Sequence, residues 1–385
     1  MVGGMKKRFD RLIARDFKLL DASPIRTTPK CQHFGKCGAC LWQGLKYEKG
    51  LKFKVELFER ITGISAPIKG SPRIWGFRNV SNFIVTTGGI GLKEYGSPSK
   101  VVNLSECPLF SRRTPKYLRA LKDFLSETGL RPWNLKRKAG DIHYLQVREG
   151  KFTGEVMVNL IAHTKPLEEV AGAFRDYFSF ADSLYWSLKG DRRDDPRGEP
   201  RLVEGRRYIR ERIDGVTYLL HPNSFFQTNS YALPILLKAV GNFTDGGKVL
   251  DLYSGVGTFG VYLAKRGFKV EGVEINPFAV EMANKNAELN GVNAKFHVGS
   301  DKDVKNLSKY DTIIVDPPRA GLHPKLIQKI LRDEPEKIIY VSCNPKTLSE
   351  NLSALREKYH VENAIGLDMF PHTPHVEAVV ELRKV

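Results

Sequence analysis

From about Tyr231 to the C-terminus, short apolar runs rich in Val and Ile alternate with segments whose apolar positions recur every three or four residues. This pattern predicts strands at residues 248–253, 269–274, 294–298, 311–315, 337–342, 364–369 and 376–383. Helical spacing fills the intervals 257–266, 277–290, 324–332 and 346–359. Strands separated by helices imply right-handed crossovers, which make the strands parallel and put helices on both faces of one sheet. The expected class is α/β, with seven strands in a doubly wound sheet. The last two strands are linked only through a short connection containing Pro371 and Pro374, so they are expected to close as an antiparallel hairpin.

Before about residue 220 the pattern changes. Strand signals at 80–86, 144–148, 154–160 and 217–220 stand beside helical spacing at 115–128 and 167–182. That mixture reads as α+β with little parallel logic. Residues 191–200 are charged and contain Gly and Pro, which predicts an exposed loop. No internal repeat and no low-complexity tract is present. No uncharged apolar run approaches the roughly 18 residues a membrane span needs. Residues 1–20 mix Lys6, Lys7, Arg8, Asp10, Arg11, Arg15, Asp16 and Lys18 with no apolar core, unlike a secretory signal. The expected location is the cytoplasm.

Charge sharpens this division. The 385 residues carry 61 Lys and Arg against 43 Asp and Glu, a net charge of +18. Residues 1–150 hold 29 of the cations and only 12 of the acids, whereas the remainder is close to balanced. Such asymmetry marks a polyanion-binding region beside a neutral one with a different task.

That task is suggested by a Gly-rich turn. Residues 249–260, Val-Leu-Asp-Leu-Tyr-Ser-Gly-Val-Gly-Thr-Phe-Gly, form an apolar strand that ends in a turn opening a helix. At the carboxyl end of a central parallel strand, such a turn admits a ligand to the backbone, and the helix N-terminus offers free N–H donors. Glu274 ends the next strand, where a carboxylate can accept both hydroxyls of a ribose. This much fits nicotinamide cofactors and S-adenosylmethionine alike. The fourth strand decides between them: Asp316-Pro-Pro-Arg319 places a carboxylate and a rigid, donor-poor backbone where a planar substrate would meet the cofactor. S-adenosylmethionine is therefore the expected cofactor.

Five cysteines in a chain with no secretory signal argue against a disulfide framework. Cys31, Cys37 and Cys40 are spaced C-x5-C-x2-C, and Cys107-Pro108 follows after 66 intervening residues. Four thiolates suit a four-coordinate site. The three-plus-one spacing closing on Cys-Pro favours a [4Fe–4S] cluster, with zinc as the alternative. His33 reads as a surface residue of the same loop. Cys343 stands apart in Ser342-Cys-Asn-Pro345, at the end of the strand neighbouring Asp316, and is a candidate nucleophile.

Taken together these residues resemble the RNA uracil-C5 methyltransferase family. The resemblance runs from Cys31 to Val385 through the cysteine pattern, Ser224-Phe-Phe-Gln227, Asp251-Leu-Tyr-Ser-Gly-Val-Gly257, Asp316-Pro-Pro-Arg-Ala-Gly321, Ser342-Cys-Asn-Pro345 and His375-Val-Glu-Ala378. It implies a Rossmann-like class I methyltransferase domain at 221–385, after an α+β RNA-binding domain at 31–220 with a Cys31/Cys37/Cys40/Cys107 iron–sulfur site, and a basic arm at 1–30. It implies Cys343 as the nucleophile that adds to carbon 6 of uracil and Glu377 as the base that removes the proton from carbon 5. It carries over cofactor contacts at Gln227, Tyr253, Thr258, Glu274, Asp301 and Asp316, the last of which could instead orient the uracil. The target base must leave its stack, so aromatic contacts are expected, with Phe225 and Phe226 as candidates. Many members carry an N-terminal OB-like barrel of roughly 60 residues. Only 30 residues precede Cys31 here, which points to the ribosomal RNA branch ahead of enzymes of tRNA uridine 54. A monomer acting on RNA is the implied state. Two other classes compete: an amino-group methyltransferase, which would need neither Cys343 nor Glu377, and an RNA-binding protein with a vestigial cofactor fold.

Overall fold

The computed structural model describes residues 24–301 and 303–385, so most of the basic arm expected at 1–30 lies outside the described residues. Among these residues the chain begins with loops carrying Cys31, Cys37 and Cys40, then forms helix α1 (Tyr47–Thr62) and a two-residue strand β1 (Ile68–Lys69). Seven strands follow in one mostly antiparallel sheet: β2 (Val80–Thr86), β3 (Gly89–Lys93), β4 (Val101–Asn103), β5 (Ile142–Glu149), β6 (Val156–Ala162), β7 (Ser183–Leu188) and β8 (Glu199–Gly205). Helices α2 (Thr114–Thr128) and α3 (Glu168–Tyr177) pack together beside it. Their Phe124, Phe174 and Phe178 form an aromatic knot with Trp186 from β7. The hairpin β9 (Ile209–Ile213) and β10 (Val216–Leu220) leads into helix α4 (Leu233–Phe243).

The remaining strands are β11 (Lys248–Leu252), β12 (Lys269–Glu274), β13 (Ala294–Val298), β14 (Thr312–Val315), β15 (Lys337–Ser342), β16 (Tyr359–Leu367) and β17 (Glu377–Lys384). Helices α5 (Thr258–Lys265), α6 (Pro277–Leu289), α7 (Pro324–Asp333) and α8 (Pro345–Leu355) connect them. The sheet runs β1-β16-β17-β15-β14-β11-β12-β13. Strands β11 to β15 are parallel, and β17 is antiparallel to both β15 and β16, as the short Pro371/Pro374 connection predicts.

The structure corrects the sequence reading in three places. The sheet has eight strands, not seven, because β1, from the N-terminal third, pairs with β16 through Ile68 and Lys69. The helix expected at 346–359 stops at Leu355, and Tyr359–Leu367 is strand, longer than the expected 364–369. β-Branched and amide residues there pair with β17 rather than continue a helix, with an irregularity between Val361 and Asn363. The helix expected at 167–182 ends at Tyr177, because Ser183–Leu188 is claimed by β7 in the middle of a sheet. Residues before 220 also contribute to the cofactor-side unit. Helix α1 packs on α8, and the Thr217 and Leu219 N–H groups of β10 donate to the side-chain oxygens of Asn290 and Asn286.

One ring sets how closely the Gly-rich turn approaches the sheet. Phe296 on β13 lies opposite Gly272 on β12, and a Cβ built at Gly272 would stand 2.1 Å from the ring. The same ring would meet Cβ atoms built at Gly257 and Gly260 at 3.0 and 2.9 Å. Gly257, with φ +78°, is the N-cap of α5. Three glycines thus let Phe296 seat under the turn and hold the helix N-terminus close to the strand ends. Gly272→Ala is expected to cost about 1–3 kcal/mol through overpacking, read as a lower urea midpoint at unchanged m-value. An unchanged midpoint would show that the ring is not wedged.

Candidate functional site

Strand order lines up the chemistry along one edge of the eight-stranded sheet. Reading β17-β15-β14-β11-β12, the carboxyl ends of the four parallel strands carry Cys343, Asp316, the turn at Tyr253–Gly257 and Glu274. Because β17 runs the other way, its first residue, Glu377, arrives at the same edge. Ser342 pairs with Ala378, so Cys343 and Glu377 are the next facing positions of the two strands. Ligands bind at this edge of open α/β sheets.

On the cofactor side, Asp251 is fully buried; its Oδ2 accepts from the Gly260 N–H at 2.9 Å, while Oδ1 has no partner. Burial first, then the charges of Asp316 and Glu274, push its pKa up to about 8. The buried Ser254 hydroxyl is likewise unpartnered. Glu274 accepts from the Gly255 N–H at 3.1 Å and the Asn276 N–H at 2.9 Å, which fixes the carboxyl against the turn. Tyr253 sits in the left-handed region, φ +61°, a strained conformation for an aromatic residue. Its hydroxyl donates to Asp301 at 3.0 Å. Thr258 opens helix α5. Unsatisfied buried oxygens, a strained residue and a helix N-terminus around one turn are what a charged, ribose-bearing cofactor would complete. The residues fit S-adenosylmethionine.

On the substrate side, Gln227 donates to Asp316 at 3.4 Å, and its own carbonyl is held by Asn79 at 2.8 Å. Gln227, Asp316, Cys343 and Glu377 therefore meet, as the motifs imply. Cys343 is half-buried, and burial, followed by the nearby Glu377, raises its thiol pKa; Asp316 adds to this. The Arg319 cation opposes these effects. Glu377 is buried, which raises its pKa well above the carboxylate range; Asp316 raises it further and Arg319 lowers it. Burial raises Asp316 to about 7. Arg319 is a residue the sequence reading quoted but gave no role. Its carbonyl accepts from the Asn344 side chain at 2.9 Å, which ties the Asp-Pro-Pro-Arg loop to the residue after Cys343. Of the two aromatic candidates, Phe226 is core, packed on Tyr218, and is set aside; Phe225 is 68% exposed and free to meet a base.

The four N-terminal cysteines are all buried and close enough to influence one another electrostatically. Burial dominates, pushing Cys37 up to about 11 and Cys40 up to about 12. Neighbouring backbone N–H groups work against this rise at three of them: His33 and Phe34 at Cys31, Ala39 at Cys37, Phe110 and Leu109 at Cys107. Gln43, unremarked in the sequence reading, accepts from the Cys31 N–H at 2.6 Å and donates to Cys40 Sγ at 3.2 Å. His33 bonds Ser105 rather than a thiol. Among the described residues no three His, Cys, Asp or Glu side chains converge closely enough to hold a single metal ion. No helix among them is long and apolar enough to cross a membrane.

Comparison with known proteins agrees with this geometry. The model of the tRNA (uracil-5-)-methyltransferase family matches residues 111–385. A 23S rRNA (uracil(747)-C(5))-methyltransferase from Pyrococcus horikoshii is 60% identical over 378 residues, 98% of this chain and 90% of the relative. The tRNA (uracil(54)-C(5))-methyltransferase of the same organism is 48% identical over 370 residues, 96% and 89% of the two chains. The crystal structure of the Pyrococcus abyssi tRNA (uracil-54, C5)-methyltransferase with S-adenosyl-L-homocysteine superimposes with a TM-score of 0.85 at 44% identity, over 94% of this chain and 86% of that one.

Proposed function

The chain belongs to the tRNA (uracil-5-)-methyltransferase family, and from that premise we propose how its residues carry out S-adenosylmethionine-dependent methylation of uracil carbon 5 in RNA, and on which RNA. Membership sets aside the amino-group methyltransferase and the vestigial binding protein. The chemical reading is carried by the juxtaposition of Cys343 and Glu377 across β15 and β17.

Carbon 5 of uracil is a weak nucleophile. The Cys343 thiolate adds to carbon 6, and the ring π electrons move onto the carbonyl oxygen of carbon 4, leaving an enolate reactive at carbon 5. Arg319, a cation near the sulfur, favours its thiolate. S-adenosylmethionine supplies the methyl group that carbon 5 takes. Glu377, buried and therefore a stronger base than an exposed carboxylate, accepts the carbon 5 proton. The electrons of that C–H bond restore the ring double bond and expel the Cys343 thiolate. Gln227 and Asp316 border both reactants, while Glu274, Tyr253, Thr258 and Asp301 hold the cofactor. Phe225 stacks the unpaired base or its neighbour.

The favoured substrate is 23S ribosomal RNA, at the uridine corresponding to position 747, because the enzymes so named are 60% identical and the tRNA uridine 54 enzymes 48%. The test is incorporation of labelled methyl groups into separate 23S ribosomal RNA and tRNA transcripts, with the modified uridine mapped. Methylation of tRNA alone would overturn the target and leave the chemistry standing. The proposed setting is the cytoplasm, and the proposed state a monomer.

Cys31, Cys37, Cys40 and Cys107 would hold a [4Fe–4S] cluster. Thiols pushed up by burial yet supplied with N–H donors are suited to deprotonated ligation. A cluster spreads its ligands more widely than a single zinc ion, in keeping with four sulfurs that gather without closing on one point. Such a group would tie the loop of Cys31–Cys40 to the turn at Cys107. Anaerobically purified protein is expected to contain about four iron atoms per chain, lost in Cys107→Ser. Zinc in place of iron would overturn the cluster.

A further inference from the structure

Helix α1 buries a cation that the mechanism above does not use. Lys54 is 2% exposed and Asp368 is 1% exposed. The Lys54 ammonium donates to Asp368 Oδ1 at 2.5 Å, to the His375 carbonyl at 2.7 Å and to the Phe370 carbonyl at 3.2 Å. All three acceptors lie on the segment joining β16 to β17, and that segment ends at Glu377. The same segment is gripped at two more carbonyls: Trp42 N–H donates to His372 at 2.9 Å and Asn229 to Met369 at 3.2 Å. The His372 ring stacks on Trp75 at 4.0 Å, with its backbone at φ +63°. The adjoining cavity, about 10 Å³, has room for at most one water molecule. The ion pair is therefore not a ligand pocket.

A buried ion pair is poor value as mere glue. Its desolvation offsets most of its attraction, and apolar residues of similar volume hold a helix on a sheet as well or better. What an ammonium adds is direction: three donors aimed at three fixed acceptors. Here the acceptors lie on the nine residues before the base, and one of them, His375, is two positions from it.

We propose that Lys54 is a positioning residue for proton removal: by holding Asp368, Phe370 and His375 it sets where the Glu377 carboxyl stands against carbon 5 of the Cys343-bound uracil. This rests on the reading of Glu377 as the base. It makes the N-terminal region, including the Trp42 that follows Cys40, part of the base's support.

The test compares Lys54→Met/Asp368→Leu with Glu377→Gln and the unaltered enzyme. The double variant replaces the pair by apolar side chains and is expected to keep its Tm and its S-adenosylmethionine affinity. Its kcat is expected to fall about 10- to 100-fold, the effect of a misplacement of about 1 Å. It should also accumulate a denaturation-resistant RNA–protein adduct carrying labelled methyl, because only the last proton transfer is slowed. Should the double variant not fold, Lys54→Arg, whose planar fork cannot reproduce three tetrahedral donors, is expected to accumulate the same adduct. Wild-type turnover in the variant that folds overturns the proposal, and so does slow turnover without methylated adduct. If Glu377→Gln itself forms none, the reading of the base fails first. If Glu377→Gln forms it and the Lys54 variants do not, only the positioning role fails.

Discussion

Cys343→Ala is expected to abolish methyl transfer to uracil, by on the order of 10⁴- to 10⁶-fold, the usual scale for loss of a covalent nucleophile. No other group in the site can replace it. Asp316 and Glu377 are carboxyls whose pKa values are raised by burial, Gln227 is neutral, and Arg319 is a cation. None can add to carbon 6 and make carbon 5 nucleophilic. Binding should survive, because the proposed cofactor contacts at Tyr253 and Glu274 lie at the ends of β11 and β12, away from β15. The informative pattern is therefore unchanged S-adenosylmethionine affinity with no product. The unaltered enzyme should also show a directional pH profile. The Cys343 pKa is raised, so in the free enzyme near neutrality the thiol is protonated, and the thiolate fraction grows as pH rises. Glu377, also raised, must be ionised to accept a proton, which acts in the same direction. kcat/KM is accordingly expected to climb from neutral into alkaline conditions. Arg319→Ala removes the cation that opposes the rise at Cys343, so it should shift this profile further towards alkaline pH. Methyl transfer retained by Cys343→Ala would sink the covalent mechanism.

How much of this was legible beforehand follows from what each element asks of its residues. Strand β15 begins and ends where its apolar run does, because a parallel strand covered on both faces is apolar almost throughout. The Gly-rich turn was legible for a related reason: Gly257 needs a positive φ, and the Phe296 ring excludes side chains at Gly260 and Gly272. Strand β1 was not, since two residues make no period, and Ile68 and Lys69 become strand only through β16. Helix α1 was hidden by its own buried face. Gly50, Lys54 and Phe58 repeat at four-residue spacing, but a lysine at the centre of the stripe reads as solvent-facing until Asp368, more than 300 residues away, supplies its partner. Residues 224–227 show the opposite failure, as two adjacent Phe look equivalent in sequence while Phe226 is core and Phe225 points outward. Arg319 acts on Cys343 from another strand end and Gln43 on its near neighbours Cys31 and Cys40; neither residue type was distinctive enough alone.

Glu377→Gln separates the two halves of the reaction in a way that no change at Cys343 can. The amide keeps nearly the size and shape of the carboxyl, so the β15–β17 pairing and the approach of uracil should persist. Addition of the Cys343 thiolate and methylation of carbon 5 do not require a base at position 377. Both should proceed once. Release does require one, because the sulfur can leave carbon 6 only when the carbon 5 proton is taken and its electrons restore the double bond. The expected result is a single turnover that stops at a covalent RNA–enzyme complex already carrying the methyl group. Multiple-turnover kcat should fall by about 10²- to 10⁴-fold, the range for a general base. Loss of charge beside Cys343 adds a second, opposite effect. Of the charges that raise the thiol's pKa Glu377 acts most strongly, so its neutralisation should lower that pKa and make adduct formation in the variant less dependent on alkaline pH. A gel resistant to denaturation, scored for labelled methyl across a pH series, reads both at once. Unmethylated adduct would place Glu377 before methyl transfer, and free methylated RNA at the normal rate would assign proton removal to another group, of which Asp316 is the nearest by charge and position.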